Sequence, residues 1–293
     1  MTVESRKDTS ARGTRRRWPR RRPWLYVGAA VIVVWCLGPF YWMVVTAFRD
    51  VGHTFDSTPW PTHTTLANFR AAFDTSSGDH FGRALLNSLI VACATTVLAL
   101  LFGGPAAYAL VRLPMRGKSK VLAAVLSASM FPGVAIVTPM FQLFTSMHWL
   151  GTYQALIIPD LSFALSLAIW ILTGFFAAMP WELEKAAQVD GATPAQAFGR
   201  ILLPLAAPGL FTTAIMVFLS AWDEFLLSSL LSNGNPKVTP VTVAIANFAG
   251  SQPHQIPYTA IMAAGAIVTV PLVIAVLVFQ RRIVSGLTAG AFK

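Results

Sequence analysis

Hydrophobic positions in this chain gather into long uninterrupted runs, with polar residues confined to the gaps between them. Six runs stand out: Pro23–Ala47, Leu85–Val111, Val121–Phe144, Tyr153–Ala178, Leu205–Leu231 and Tyr258–Phe279. Crossing a bilayer takes about 20 apolar residues in a helix, so each run is long enough. Backbone N–H and C=O groups in lipid must pair within their own segment, and runs of this length are therefore expected to be helices. The pattern predicts an all-α integral membrane bundle, with a six-span domain over 23–282. Flanking and interrupting it are a basic tail (1–22), loops over 48–84 and 232–257, a polar segment over 180–203 and a C-terminal tail (283–293).

Composition agrees with that reading. The chain has 293 residues, 55% hydrophobic and 12% charged, with a mean hydropathy of +0.60. Soluble domains carry about 25% charged residues. A net charge of +10 would point to nucleic acid in a soluble protein, but here its distribution decides otherwise. The tail from Arg6 to Arg22, the stretch with Arg112, Arg116, Lys118 and Lys120, the pair Lys185 and Arg200, and the terminal Arg281, Arg282 and Lys293 hold 18 of the 22 basic residues. Alternate loops hold only Arg49, Arg70, Arg83 and Lys237. By the positive-inside rule both termini and the 180–203 segment face the cytoplasm, while 48–84 and 232–257 are external. The Arg-rich tail reads as a topology and lipid-headgroup anchor. The first apolar run is too long for a signal-peptide core and no small-x-small cleavage site follows it. Cys36 and Cys93 fall inside spans and read as small core residues.

Several spans contain helix breakers: Gly103-Gly104-Pro105 in the second, Pro132-Gly133 and Pro139 in the third. Such residues either line a water-filled pathway, where freed backbone groups are re-satisfied, or let helices pack closely. Both readings stand at this level.

The 180–203 segment is the most informative. Pro180 suits a helix's first turn, Glu182 and Glu184 lie near the positive end of its dipole, and Gly191 can adopt the left-handed conformation that stops it. Thr193, Pro194 and Gln196 then supply an N-cap, a first residue and the partner of a capping box. Two short helices with a sharp turn are expected, with the small Ala186 and Ala187 allowing close seating in a partner's groove.

The spacing of Ala186-Ala187, Gly191 and Ile201-Leu202-Leu203-Pro204 resembles the EAA loop of ABC importer permeases, the coupling helix that docks in a cleft of the ATPase subunit. Where the family commonly has Glu before the Ala pair, this chain has Lys185, with Glu184 one position earlier. Asn87-Ser88-Leu89, Ala106-Ala107-Tyr108-Ala109, Ala221-Trp222-Asp223-Glu224-Phe225 and the tail Phe279–Leu287 extend the likeness over nearly the whole membrane domain. They resemble the second permease subunit of carbohydrate importers of the maltose and trehalose type. The resemblance implies the type I transmembrane fold, a bacterial cytoplasmic (inner) membrane location and a complex with a second permease, two ATPase subunits and an extracytoplasmic sugar-binding protein. It places ATPase coupling on Glu184, Lys185, Ala186, Ala187, Asp190, Gly191, Ile201 and Pro204. In such systems the other permease supplies most sugar contacts.

No Gly-x-x-x-x-Gly-Lys-Ser/Thr phosphate loop occurs in the sequence, so ATP and Mg are expected on a partner chain, with no cofactor on this one and no enzymatic activity. Ionisable groups inside spans are costly and are functional candidates. Asp160, Asp223 and Glu224 qualify, and no base does. With Trp222 they could form a sugar pathway of carboxylates and an aromatic face, or instead bond backbone or partner groups near a gate. His53, His63, His80, His148 and His254 lack metal-ligand spacing and read as solvated loop residues. Trp60 and Trp149 read as interfacial belt residues. A proton-coupled secondary transporter would need related halves and an intramembrane relay, and an integral membrane enzyme a His/Asp/Glu cluster at one depth. Neither pattern is visible.

Overall fold

The computed structural model describes residues 23–74, 80–247 and 257–291, with only the backbone described for 279–291. The basic tail, His254 and the side chains of the C-terminal tail lie outside the described residues. The chain divides into two compact units, 1–42 and 43–293.

The helices in chain order are α1 (Pro23–Ala47), α2 (Ala67–Ala72), α3 (Phe81–Arg112), α4 (Lys118–Ser129), α5 (Gly133–Ser146), α6 (Tyr153–Ala178), α7 (Glu182–Val189), α8 (Pro194–Ala197), α9 (Leu203–Leu205), α10 (Ala207–Trp222), α11 (Leu226–Leu231), α12 (Val241–Ala246) and α13 (Tyr258–Ala291). A π-helical segment, Phe198–Leu202, joins α8 to α9. The tail expected beyond 282 continues as helix to Ala291.

Among the described residues, Trp24–Ala47, Phe81–Arg112, Tyr153–Ala178 and Tyr258–Val278 can each cross a membrane unbroken. The third and fifth runs depart from the single helices expected. Lys118–Ser129 and Gly133–Ser146 meet at 84°, and Pro194–Leu205 meets Ala207–Trp222 at 75°. Counting each bent pair as one span gives six. Proline explains both bends. Pro132 has no N–H for the Ala128 carbonyl, and the position before a proline is disfavoured in the helical region. Pro208 likewise cannot donate to Pro204. A second interruption, at Asp223–Phe225, separates α10 from α11.

The Gly103-Gly104-Pro105 stretch leaves α3 continuous. Gly103 serves close packing instead: a Cβ there would lie 3.1 Å from that of Ala168 on α6. The main body packs α3 against α6, with α10 across both and α13 against α10. Along α3 its core runs from Phe81 and Ala92, packed with Trp222 and Val241, through Ala99 with Ala168 and Val217, to Ala107 and Tyr108, packed with Leu172, Phe176 and Leu202.

Several local expectations need correction. Cys36 and Cys93 are exposed rather than buried; a span's lipid-facing side is as apolar as its core, so apolar character alone does not tell the two apart. Trp149 stacks on Phe144 at 5.8 Å inside a buried cluster, so it is a packing residue as well as an end-of-span aromatic. Residues 48–68 fold around Arg49, fully buried, whose guanidinium donates to the carbonyls of Asp56 and Thr58. The Asn68 side-chain amide donates to the Ala47 and Arg49 carbonyls at 2.8 and 2.6 Å, closing the loop onto the end of α1. His53 and His63 stack at 4.1 Å, and His53 Nδ1 meets Asp56 Oδ2 at 3.1 Å.

Candidate functional site

The polar segment between α6 and α9 forms the helix pair its residues dictate. Gly191 sits at φ +86° and ends α7 in a Schellman motif. Its N–H donates to the Gln188 carbonyl at 3.0 Å, and the Ala192 N–H donates to that of Ala187 at 2.9 Å. Two residues later the capping box is complete: Gln196 N–H donates to Thr193 Oγ1 at 3.3 Å, and Thr193 N–H donates to Gln196 Oε1 at 2.9 Å. The second helix does not stop at one turn. It passes through the π-helical segment into α9, where the Leu203 N–H reaches back to the Phe198 carbonyl.

The pair is fastened to the spans by a buried polar junction. Arg112, the last residue of α3, is 5% exposed and Glu184 on α7 is 5% exposed. The Arg112 Nη2 donates to the carbonyls of Phe176 and Met179 at 3.2 and 2.8 Å, satisfying acceptors left over where α6 ends. Its guanidinium lies 4.3 Å over the Trp181 ring, and its Nε stands 3.8 Å from Glu184 Oε2. Tyr108 Oη donates to Glu184 Oε1 at 2.6 Å from inside α3. Beneath, the rings of Tyr108, Phe176 and Phe198 pack with centroids 4.8 to 6.2 Å apart. One arginine and one glutamate thus join the ends of α3 and α6 to α7. A shift of α7 is carried into both spans at once, because moving it alone would strand buried charges.

The expected coupling residues divide between two faces. Glu184 and Ala187 point inward and are buried, so Ala187 seats α7 on its own chain rather than on a partner. Lys185, Ala186, Asp190 and Gly191 are exposed, Ile201 is half-buried in the π-helical segment, and Pro204 is exposed on α9. Two apolar side chains share the outer face: Leu183, and Val189 at 87% exposure. The sequence reading missed Leu183 and Val189, although their spacing with Ala186 at i and i+3 was the available signal. It also treated Arg112 as a loop residue and found no base within the spans; burial at the end of α3 overturns both.

The proposed pathway residues separate as well. Asp160 on α6 and Glu224, just beyond α10, line one cavity of about 370 Å³ together with Ser129, Gly133, Phe163 and Ser220. Trp222 is not there: it is 2% exposed in the core, stacked on Phe218 at 5.6 Å. Asp223 caps the end of α10, exposed and outside the cavity lining. Among the described residues no group of three or more His, Cys, Asp or Glu could hold a metal ion.

Residues 99–288, which contain the helix pair and the junction, match the family of binding-protein-dependent transport system inner membrane components. The chain belongs to that family. It is 42% identical over 274 residues to the trehalose transport system permease protein SugB of Mycobacterium tuberculosis, covering 94% of this chain and 98% of that one. It is 39% identical to the trehalose/maltose transport system permease protein MalG of Thermococcus litoralis, over 93% and 97% of the two chains. A sulfoquinovosyl glycerol transport system permease protein of Agrobacterium fabrum is 36% identical over 93% and 94%. The fold matches a solved bacterial ABC transporter involved in alginate import, with a TM-score of 0.74 over 90% of this chain and 98% of that one at 19% identity. The chain is therefore a multi-pass permease subunit of an inner-membrane ABC importer, not an enzyme.

Proposed function

We propose that this subunit imports a sugar, with trehalose or another α-glucoside as cargo, and that α7 and α8 are where a separate ATPase drives it. The observation that carries the coupling role is the Arg112–Glu184–Tyr108 junction. It makes an exposed helix pair, with Leu183, Ala186 and Val189 turned outward, mechanically continuous with two spans. On this reading α7 lies on the cytoplasmic side with both termini, in keeping with the basic loops. A second permease completes the pathway, two ATPase subunits hold ATP and Mg, and an extracytoplasmic sugar-binding protein delivers cargo. This chain carries no cofactor of its own. Closure of the ATPases would pull on α7 and swing the spans between inward-open and outward-open states. The trehalose assignment is supported by the two relatives at 42% and 39% identity, which are permeases of trehalose and trehalose/maltose transport systems.

The test is reconstitution of the full complex in proteoliposomes, asking which sugar, presented on its binding protein, stimulates ATP hydrolysis. Trehalose is expected to do so. Robust hydrolysis by this chain alone, or uptake that a protonophore abolishes while ATP is maintained, would refute the reading.

A further inference from the structure

The cavity of about 370 Å³ lies where two interruptions, the α4–α5 bend and the α10–α11 break, meet the face of α6 that carries Asp160. Its size is within the range of small-molecule sites, roughly 300–1,000 Å³. Its two carboxylates are not equivalent. Glu224 is fully engaged in the fold: its Oε1 and Oε2 accept from the N–H groups of Leu227 and Ser228, each at 2.8 Å, and its carbonyl accepts from Thr242 Oγ1 at 2.9 Å. Asp160 is 7% exposed, and its Oδ2 has no hydrogen-bond partner. A buried acceptor left unpaired is costly, so an acceptor kept in this state beside a cavity is suited to a ligand that brings a donor.

The lining narrows the ligand's chemistry. No Lys or Arg is among the described lining residues, which rules against an anion. A bare cation would be small for the space. An uncharged molecule rich in hydroxyl donors fits this lining. Ser129 and Ser220 can exchange hydrogen bonds with it, and the Phe163 ring and neighbouring aliphatic side chains can meet the C–H face of a pyranose.

We propose that this cavity is a sugar-hydroxyl site on the subunit itself, which accepts a neutral glycosyl unit and rejects anionic ones, with Asp160 as the specificity-determining acceptor. The proposal rests on the importer reading above. It adds a direct contact with cargo in a class where the resemblance assigns most contacts to the other permease.

The experiment uses the full reconstituted complex with trehalose as the probe, together with its mono-uronic acid analogue. Asp160→Asn keeps the shape and replaces one carboxyl oxygen by an amide NH2, and Ser220→Leu fills the cavity from an exposed lining position. Co-purification with the partner subunits reports that each variant is assembled. Direct trehalose binding to the solubilised complex, without binding protein, is expected to weaken about tenfold in each variant, the scale of one hydrogen bond. The wild-type complex should bind trehalose more tightly than the acid, which meets no Lys or Arg among the described lining residues. Wild-type trehalose affinity in either assembled variant, or equal affinity of the wild-type complex for the acid, would overturn the proposal. A wild-type complex whose ATP hydrolysis answers to no sugar-loaded binding protein would instead overturn the importer reading.

Discussion

Replacing Gly191 with Val isolates backbone shape as the source of coupling. Gly191 sits at φ +86° with nothing within 4 Å of where a Cβ would lie, so the added Cβ meets open space. Its whole cost is conformational. An ordinary L-residue loses about 1–2 kcal/mol in the left-handed region, and a β-branched one more. At 1.4 kcal/mol per tenfold, about 1–2 kcal/mol depletes the native turn roughly 5- to 30-fold. The two Schellman bonds, Gly191 to Gln188 and Ala192 to Ala187, are lost with it. The outer face of α7 then no longer meets a partner in one fixed orientation, while the spans are untouched. Binding-protein-stimulated ATP hydrolysis and sugar uptake should fall by about an order of magnitude. Membrane insertion and co-purification with the second permease should be retained. Gly191→Asn should lie between the two, because Asn visits this region more readily. Wild-type stimulated hydrolysis in Gly191→Val would refute the argument that this turn sets the docking shape.

Tyr108→Phe removes the 2.6 Å hydrogen bond to Glu184 and should cost about 1.5–3 kcal/mol, read as a lowered thermal midpoint in detergent. The loss should be much smaller in a Glu184→Gln background, since the two residues share one interaction. Arg112→Met leaves Glu184 without its ion-pair partner and the α6 carbonyls without their donor, and should cost about 3–5 kcal/mol by the same measurement. Gly209→Leu drives a side chain into the Phe175 ring, whose Cδ1 would lie 2.7 Å from the new Cβ, and should destabilise by about 1–3 kcal/mol. Gly104→Ala, with nothing within 4 Å, should be close to neutral under the same assay. Thr193→Ala opens the capping box and should cost about 1 kcal/mol, with Thr193→Ser restoring it.

The sequence by itself determined the membrane class, the positions of the apolar runs and the helix–turn–helix between the fourth and fifth. These rest on local physics: bilayer thickness sets the run length, and the turn follows from one Gly, one Thr, one Pro and one Gln acting on their immediate neighbours. The bends at Pro132 and Pro208 were half legible. A proline announces a missing N–H, but Pro105 lies inside an unbroken α3, and only packing tells the cases apart. Contacts between residues far apart in the chain were not legible. Arg112 read as a loop charge and Glu184 as a first-turn acid of the coupling helix, and only the meeting of α3, α6 and α7 buries them together. Ala186 and Ala187 read as one docking pair, yet adjacent helix positions are about 100° apart, and in the fold Ala187 is buried while Ala186 is exposed. The adjacent Trp222, Asp223 and Glu224 were separated in the same way. The interruption after α10 places Trp222 in the core and Asp223 outside, and sends Glu224 to the cavity wall facing Asp160. Chain order cannot show that cavity, because its walls come from helices that meet only in the folded bundle.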